Sequence, residues 1–134
     1  MKRILLLTTC LTALTITVLA QDEADYQKWM KSIGPTSGSL RKNLEAKNGE
    51  AAAADAKKLQ EVFEQVHGFW QKKSVDDAAK LAADARDGFG EVAAEASAGK
   101  FDDASATLKK ASATCGGCHM AHREKAADGS WNIK

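Results

Sequence analysis

Apolar side chains recur at helical spacing in four successive stretches of this chain. In the first, Tyr26, Met30, Ile33, Ser37, Leu40 and Leu44 follow one another at steps of three and four residues, which places them on one stripe of a helix. Asn48-Gly49 reads as a left-handed stop to that helix. The second stretch runs from about Glu50 to Lys72 and is the most hydrophobic, with Leu59, Val62, Phe63, Val66, Phe69 and Trp70 on its inner face. Ser74, three residues before Asp77, resembles a capping box that opens a third helix. Its inner stripe is Val75, Ala78, Ala82, Ala85, Phe89, Val92 and Ala96, with Gly88 and Gly90 allowing a neighbour close approach. After the break at Ser97-Ala98-Gly99-Lys100, the fourth stripe reads Phe101, Ala104, Leu108, Ala111, Cys115, Cys118 and His122.

Four helices joined by short breaks predict an all-α fold, an antiparallel up-down-up-down four-helix bundle. Abundant alanine and a single proline, Pro35, favour helix over sheet. The order of the tail from Asp128 to Lys134, polar apart from Trp131 and Ile133, is not decided by its pattern.

Ahead of the first stripe, Lys2 and Arg3 precede an apolar, threonine-rich run from Ile4 to Leu19, and Ala20 stands before the acidic Asp22 and Glu23. This reads as a cleaved secretory signal over residues 1–20, too short in its apolar part for a membrane span. Cys10 leaves with it. Residues 21–134 then form a single domain, exported to the periplasm and not stably inserted in the membrane.

Removing Lys2 and Arg3 from 19 basic residues leaves 17 against 18 acidic ones, a formal charge of −1. No basic stripe exists to displace condensed counterions, so nucleic acid is not an expected partner.

The fourth stripe carries Cys115-Gly116-Gly117-Cys118-His119. Two cysteines three apart each add to a haem vinyl group, and the adjacent imidazole binds the iron. Cys115 and Cys118 are therefore read as covalent anchors of one haem c, with His119 as the proximal iron ligand. Two other readings use the same residues. A redox dithiol or disulfide suits the oxidising compartment, but no strand pattern precedes residue 115. A zinc site using both cysteines with His119 or His122 would crowd its ligands into eight residues.

The motif in the last helix of an exported four-helix chain, with Arg123 four residues after His119 and Trp29-Met30-Lys31 in the first helix, resembles the class II cytochromes c, the cytochrome c prime family. The resemblance spans Tyr26 to about Lys125. It implies a left-handed bundle with haem packed between the helices near one end. It also implies that the sixth iron position faces the first helix, where methionine gives a low-spin electron carrier and a nonligating residue leaves an iron open to small gases. Met30 matches the methionine position, so the resemblance points to the low-spin branch with Met30 as distal ligand. Met30 also lies on the inner stripe, where its alternative reading is a packing side chain, and its thioether is a soft donor. Pro35 removes a hydrogen bond to the Lys31 carbonyl and bends the helix beside the ligand. Gly34, Ser37, Gly38 and Ser39 offer room for a ring edge.

His67 is expected at the edge of the second helix and not on the iron. His122 and Met120 sit too near the proximal side to reach the opposite face, and Arg123 and Lys125 are expected to pair with propionates or solvent. No acid, base or nucleophile constellation accompanies the motif, so the expected protein is not an enzyme. It is expected to be a monomer that passes single electrons to a redox partner protein. The alternative is a high-spin relative that binds or scavenges nitric oxide or carbon monoxide at an open iron.

Overall fold

The computed structural model describes the backbone of residues 2–134 and the side chains of residues 22–134. Four helices follow in order, α1 (Lys2–Glu45), α2 (Gly49–Lys72), α3 (Asp76–Ser97) and α4 (Phe101–His122), and two short strands close the chain, β1 (Arg123–Lys125) and β2 (Trp131–Ile133). The secretion signal expected over residues 1–20 lies outside the described side chains. Among the described residues no helix is long and apolar enough to cross a membrane.

Consecutive helices pack along their lengths, α1 on α2, α2 on α3 and α3 on α4, as an all-α four-helix bundle. Short connections enforce the antiparallel order. Each turn contains one residue in the left-handed region: Lys47 (φ 56°), Ser74 (φ 57°) and Gly99 (φ 72°).

Two of these turns differ from the sequence expectation. Asn48 serves both helices: its amide closes α1 on the Asn43 carbonyl at 2.9 Å, and its Oδ1 accepts from the Ala51 amide at 3.2 Å and so caps the start of α2. The left-handed residue is Lys47. Gly49 serves contact instead of turn geometry, since a Cβ there would lie 2.6 Å from the Ala96 carbonyl oxygen. Ser74 likewise ends α2: its amide bonds the Gln71 carbonyl, and the Val75 amide bonds that of Trp70. The helix that follows starts behind Val75 with no side-chain cap, its first turn carrying Asp76 and Asp77 at the favourable end of the helix dipole.

The stripes read from sequence form the core. Leu40, Leu59, Trp70, Phe89 and Val92 are the largest side chains held fully inside. Phe63 stacks on Phe89 with ring centroids 5.4 Å apart, joining α2 to α3. The α3 stripe is mostly alanine, and Gly88 faces Ala111 so closely that a Cβ would stand 2.8 Å from that methyl. Small residues thus draw α4 tightly against α3.

One polar group is buried with the core. Asp55 of α2 accepts from Ser39 Oγ at 2.6 Å and from Asn43 Nδ2 at 2.9 Å, both on α1, and Lys58 Nζ lies 3.6 Å away. A satisfied carboxylate between two helices fixes their register, because sliding either one would leave it unpaired. α1 runs through Pro35 without a break, its neighbouring hydroxyls on Ser32 and Thr36 bonding back to the Trp29 and Ser32 carbonyls.

Phe89→Ala should lower unfolding free energy in urea by about 3–5 kcal/mol through the lost transfer energy and the cavity left behind. Lys57→Ala, on the exposed face of α2, should change it by less than about 0.5 kcal/mol.

Candidate cofactor cavity

While the other neighbouring helices pack closely, α1 and α4 touch at few positions. Between them lies a mostly apolar cavity of about 580 Å³, within the size range of cofactor sites. From α1 it is lined by Tyr26, Met30 and Ile33, from α2 by Phe63 and Val66, and from α3 by Leu81 and Ala82. α4 contributes Cys115, Cys118, His119 and His122. The cavity thus brings together the four residues singled out in the sequence.

Helical phase explains the α4 contribution. Leu108 and Ala111 are buried, and Cys115 and Cys118 continue the same face one and two turns on, half-buried against the core. Both thiols are free. Burial pushes the Cys115 and Cys118 thiols up from their ordinary value, and for Cys118 the neighbouring Cys115 adds to the effect. Burial, followed by the charge of Arg123, holds the His119 imidazole below its usual value. Neutral imidazole is the form that donates a lone pair to a metal. Met30 of α1 is partly buried and lines the same space.

These donors suit a flat apolar group tethered by sulfur and bound through a metal at its centre. The walls are apolar, two thiols lie one helical turn apart, and an imidazole and a thioether come from different helices. A zinc site does not assemble: among the described residues no three His, Cys, Asp or Glu side chains converge as a metal ion requires.

Other residues fall where the pattern did and did not place them. His67 does not line the cavity. Met120 points to solvent, 78% exposed. His122 lines the cavity, packs its ring 5.3 Å from that of Trp70, and bonds Asp77 Oδ2 through Nε2 at 2.8 Å. That bond holds the Asp77 carboxyl below the usual range. The small residues of α1 do not make room for a ring edge. Gly34, Ser37, Gly38 and Ser39 all lie outside the cavity lining, and Ser39 is engaged by Asp55.

The carboxyl-terminal segment is the part of the site that the hydrophobic pattern did not reveal. β1 and β2 form an antiparallel hairpin with Arg123 opposite Ile133 and Lys125 opposite Trp131. Its turn is closed by Asp128, whose Oδ1 accepts from both Ser130 N and Ser130 Oγ, and by Gly129 at φ 84°. The Lys134 amide bonds the His122 carbonyl and its Nζ bonds that of Met120, satisfying groups that the end of α4 leaves open. Gln27 Nε2 donates to the Trp131 carbonyl at 3.2 Å, tying the hairpin to α1. Ser130, Trp131, Asn132 and Ile133 thereby become one wall of the cavity. Asp128-Gly129-Ser130 was the available signal, but three-residue strands are too short to show alternation.

Compared with known proteins, the chain matches no family model, no curated protein and no solved structure.

Tyr26 stacks on Phe69 with centroids 4.5 Å apart, and burial pushes its hydroxyl up to about 12 from 10.0. The folded state therefore holds its proton where the unfolded chain has released it, so stability falls as pH rises from about 10 to about 12. The loss should reach on the order of 2 kcal/mol. Tyr26→Phe should remove this share of the alkaline decline, read as the difference between the two proteins' urea midpoints across that range.

Proposed function

We propose that the protein is an exported c-type cytochrome that carries single electrons, with one haem c bound through Cys115 and Cys118, His119 as proximal ligand and Met30 as distal ligand. The observation that carries this reading is the convergence of Met30 from α1 with the cysteine and histidine motif of α4 on one apolar cavity between two separated helices. When bound, the haem supplies an iron that cycles between ferric and ferrous.

The chain's own residues do the rest. Cys115 and Cys118 would hold the haem as thioethers, each thiol adding across one vinyl group with sulfur on one carbon and hydrogen on the other, which would need reduced thiols and no oxidant. Both thiols are free and stand half-buried on the wall of the cavity, where the group to be attached would lie. Phe63, Val66, Leu81 and Ile33 exclude water from the site. A low-polarity surround disfavours the more highly charged oxidation state and so raises the reduction potential, as does a thioether ligand. His119 and Met30, retained in both oxidation states, keep the structural change per electron small. Export to the periplasm and exchange with a redox partner protein belong to the same proposal, and resemblance to the low-spin class II cytochromes c supports it.

The test is the visible spectrum of the matured protein in ferric and ferrous forms. The expected result is a low-spin spectrum with the weak long-wavelength band of sulfur bound to ferric haem, lost in Met30→Ala, which should then bind carbon monoxide when reduced. Cys115→Ser with Cys118→Ser should release the pigment on acid-acetone extraction. A high-spin wild-type spectrum with carbon monoxide binding would make gas binding at an open iron the function instead.

A further inference from the structure

Arg123 is the first residue after α4 and lines the cavity from β1. Its guanidinium carbon lies 3.8 Å from the centre of the Trp131 ring, across the hairpin. Its Nε is buried and has no hydrogen-bond partner. A buried charged donor without an acceptor is costly, and native proteins rarely leave one.

No salt bridge pairs Arg123 with a carboxylate among the described residues, and the acidic side chains at this end of the molecule have other partners or another face. Asp77 is held by His122, and Asp128 by Ser130. Glu124 stands opposite Asn132, one position along the strand from Arg123, so it belongs to the other face of the hairpin. Stacking grips a guanidinium by its face and leaves its in-plane N–H groups free to donate, the arrangement suited to a planar carboxylate. Arg123 lines the cavity, so a group held there is placed to supply the missing acceptor.

We infer that Arg123, fixed on Trp131 by the carboxyl-terminal hairpin, is the positioning residue that binds a carboxylate of the cavity's occupant, a haem propionate, and that the hairpin is thereby part of the cofactor site. The inference rests on the haem reading above. It assigns to Trp131, 45% exposed at the surface, the task of holding Arg123 in one orientation. The Gln27 bond and the Lys134 bonds to the end of α4 keep the latch in place from both sides.

The test uses the matured haem protein and four variants, Arg123→Ala, Arg123→Lys, Trp131→Ala and Lys109→Ala, with two readouts: the reduction potential at fixed pH and the propionate bending band in the resonance Raman spectrum. Removing the cation leaves the propionate charge uncompensated and favours ferric iron. Arg123→Ala should therefore shift the potential downward and move the propionate band. Arg123→Lys, which keeps the charge and loses the fork, should restore part of the potential but not the band. Trp131→Ala should change both in the same direction as Arg123→Ala and by less, with helical circular dichroism unchanged; it serves as the deciding variant if Arg123→Ala does not fold. Lys109→Ala removes an equal charge from an exposed position of α4 outside the cavity lining and should leave the band in place. Haem attached normally, with the band unmoved in both Arg123→Ala and Trp131→Ala, overturns this inference alone. A wild-type protein that takes up no haem overturns the haem reading and this inference together.

Discussion

The unbroken apolar seam of α4 is the constraint on which the candidate site depends. Ala104, Leu108 and Ala111 commit one face of the helix to the core, and helical geometry leaves Cys115 and Cys118 no other direction to face. Alanine and glycine on α3 strengthen this commitment, because the Gly88 and Ala111 approach fixes α4 at short range. The same close packing leaves α4 apart from α1. The cavity is therefore a product of unequal helix spacing, tight on the α3 side and open on the α1 side.

Electrostatics divide the same region into a protected interior and a structured edge. Burial raises the two thiols above their ordinary value and lowers the His119 imidazole below its own. At the boundary, His122 takes up Asp77 while covering Trp70. The hairpin adds a wall held by backbone bonds to α4 and a side-chain bond to α1, rather than by a core of its own. Such a short two-stranded element depends on its attachments for order.

Much of this arrangement was legible in the sequence where a periodic signal was long. The stripes of α2 and α3 and the start of α4 at Phe101 follow directly from spacing at three and four residues. Turn chemistry was less legible. Ser74 closes the helix before its turn instead of opening the one after it, and Asn48 serves both of its helices, since a polar residue in a three-residue link can act as a stop or as a cap. The motif residues and Met30 were readable because they lie in phase with core positions. Pairing of Arg123 with a propionate or solvent was an expectation of the sequence, but its stacking on Trp131 was not legible, because a contact across a hairpin of three-residue strands leaves no period to detect. The small residues of α1 misled for a related reason: their size was visible, but the tilt that decides what stands beside them is set by the Asp55 cluster.

α1 behaves as a beam with two supports. Gln27 is fastened to the hairpin, and Ser39 with Asn43 is fastened to Asp55, so Met30 lies on the span between fixed points. Pro35 lies on that span too, and there the backbone lacks one rung of its hydrogen-bond ladder. Met30 stands between that proline and the hairpin support, so where its thioether lies is set by two attachments made by other parts of the chain.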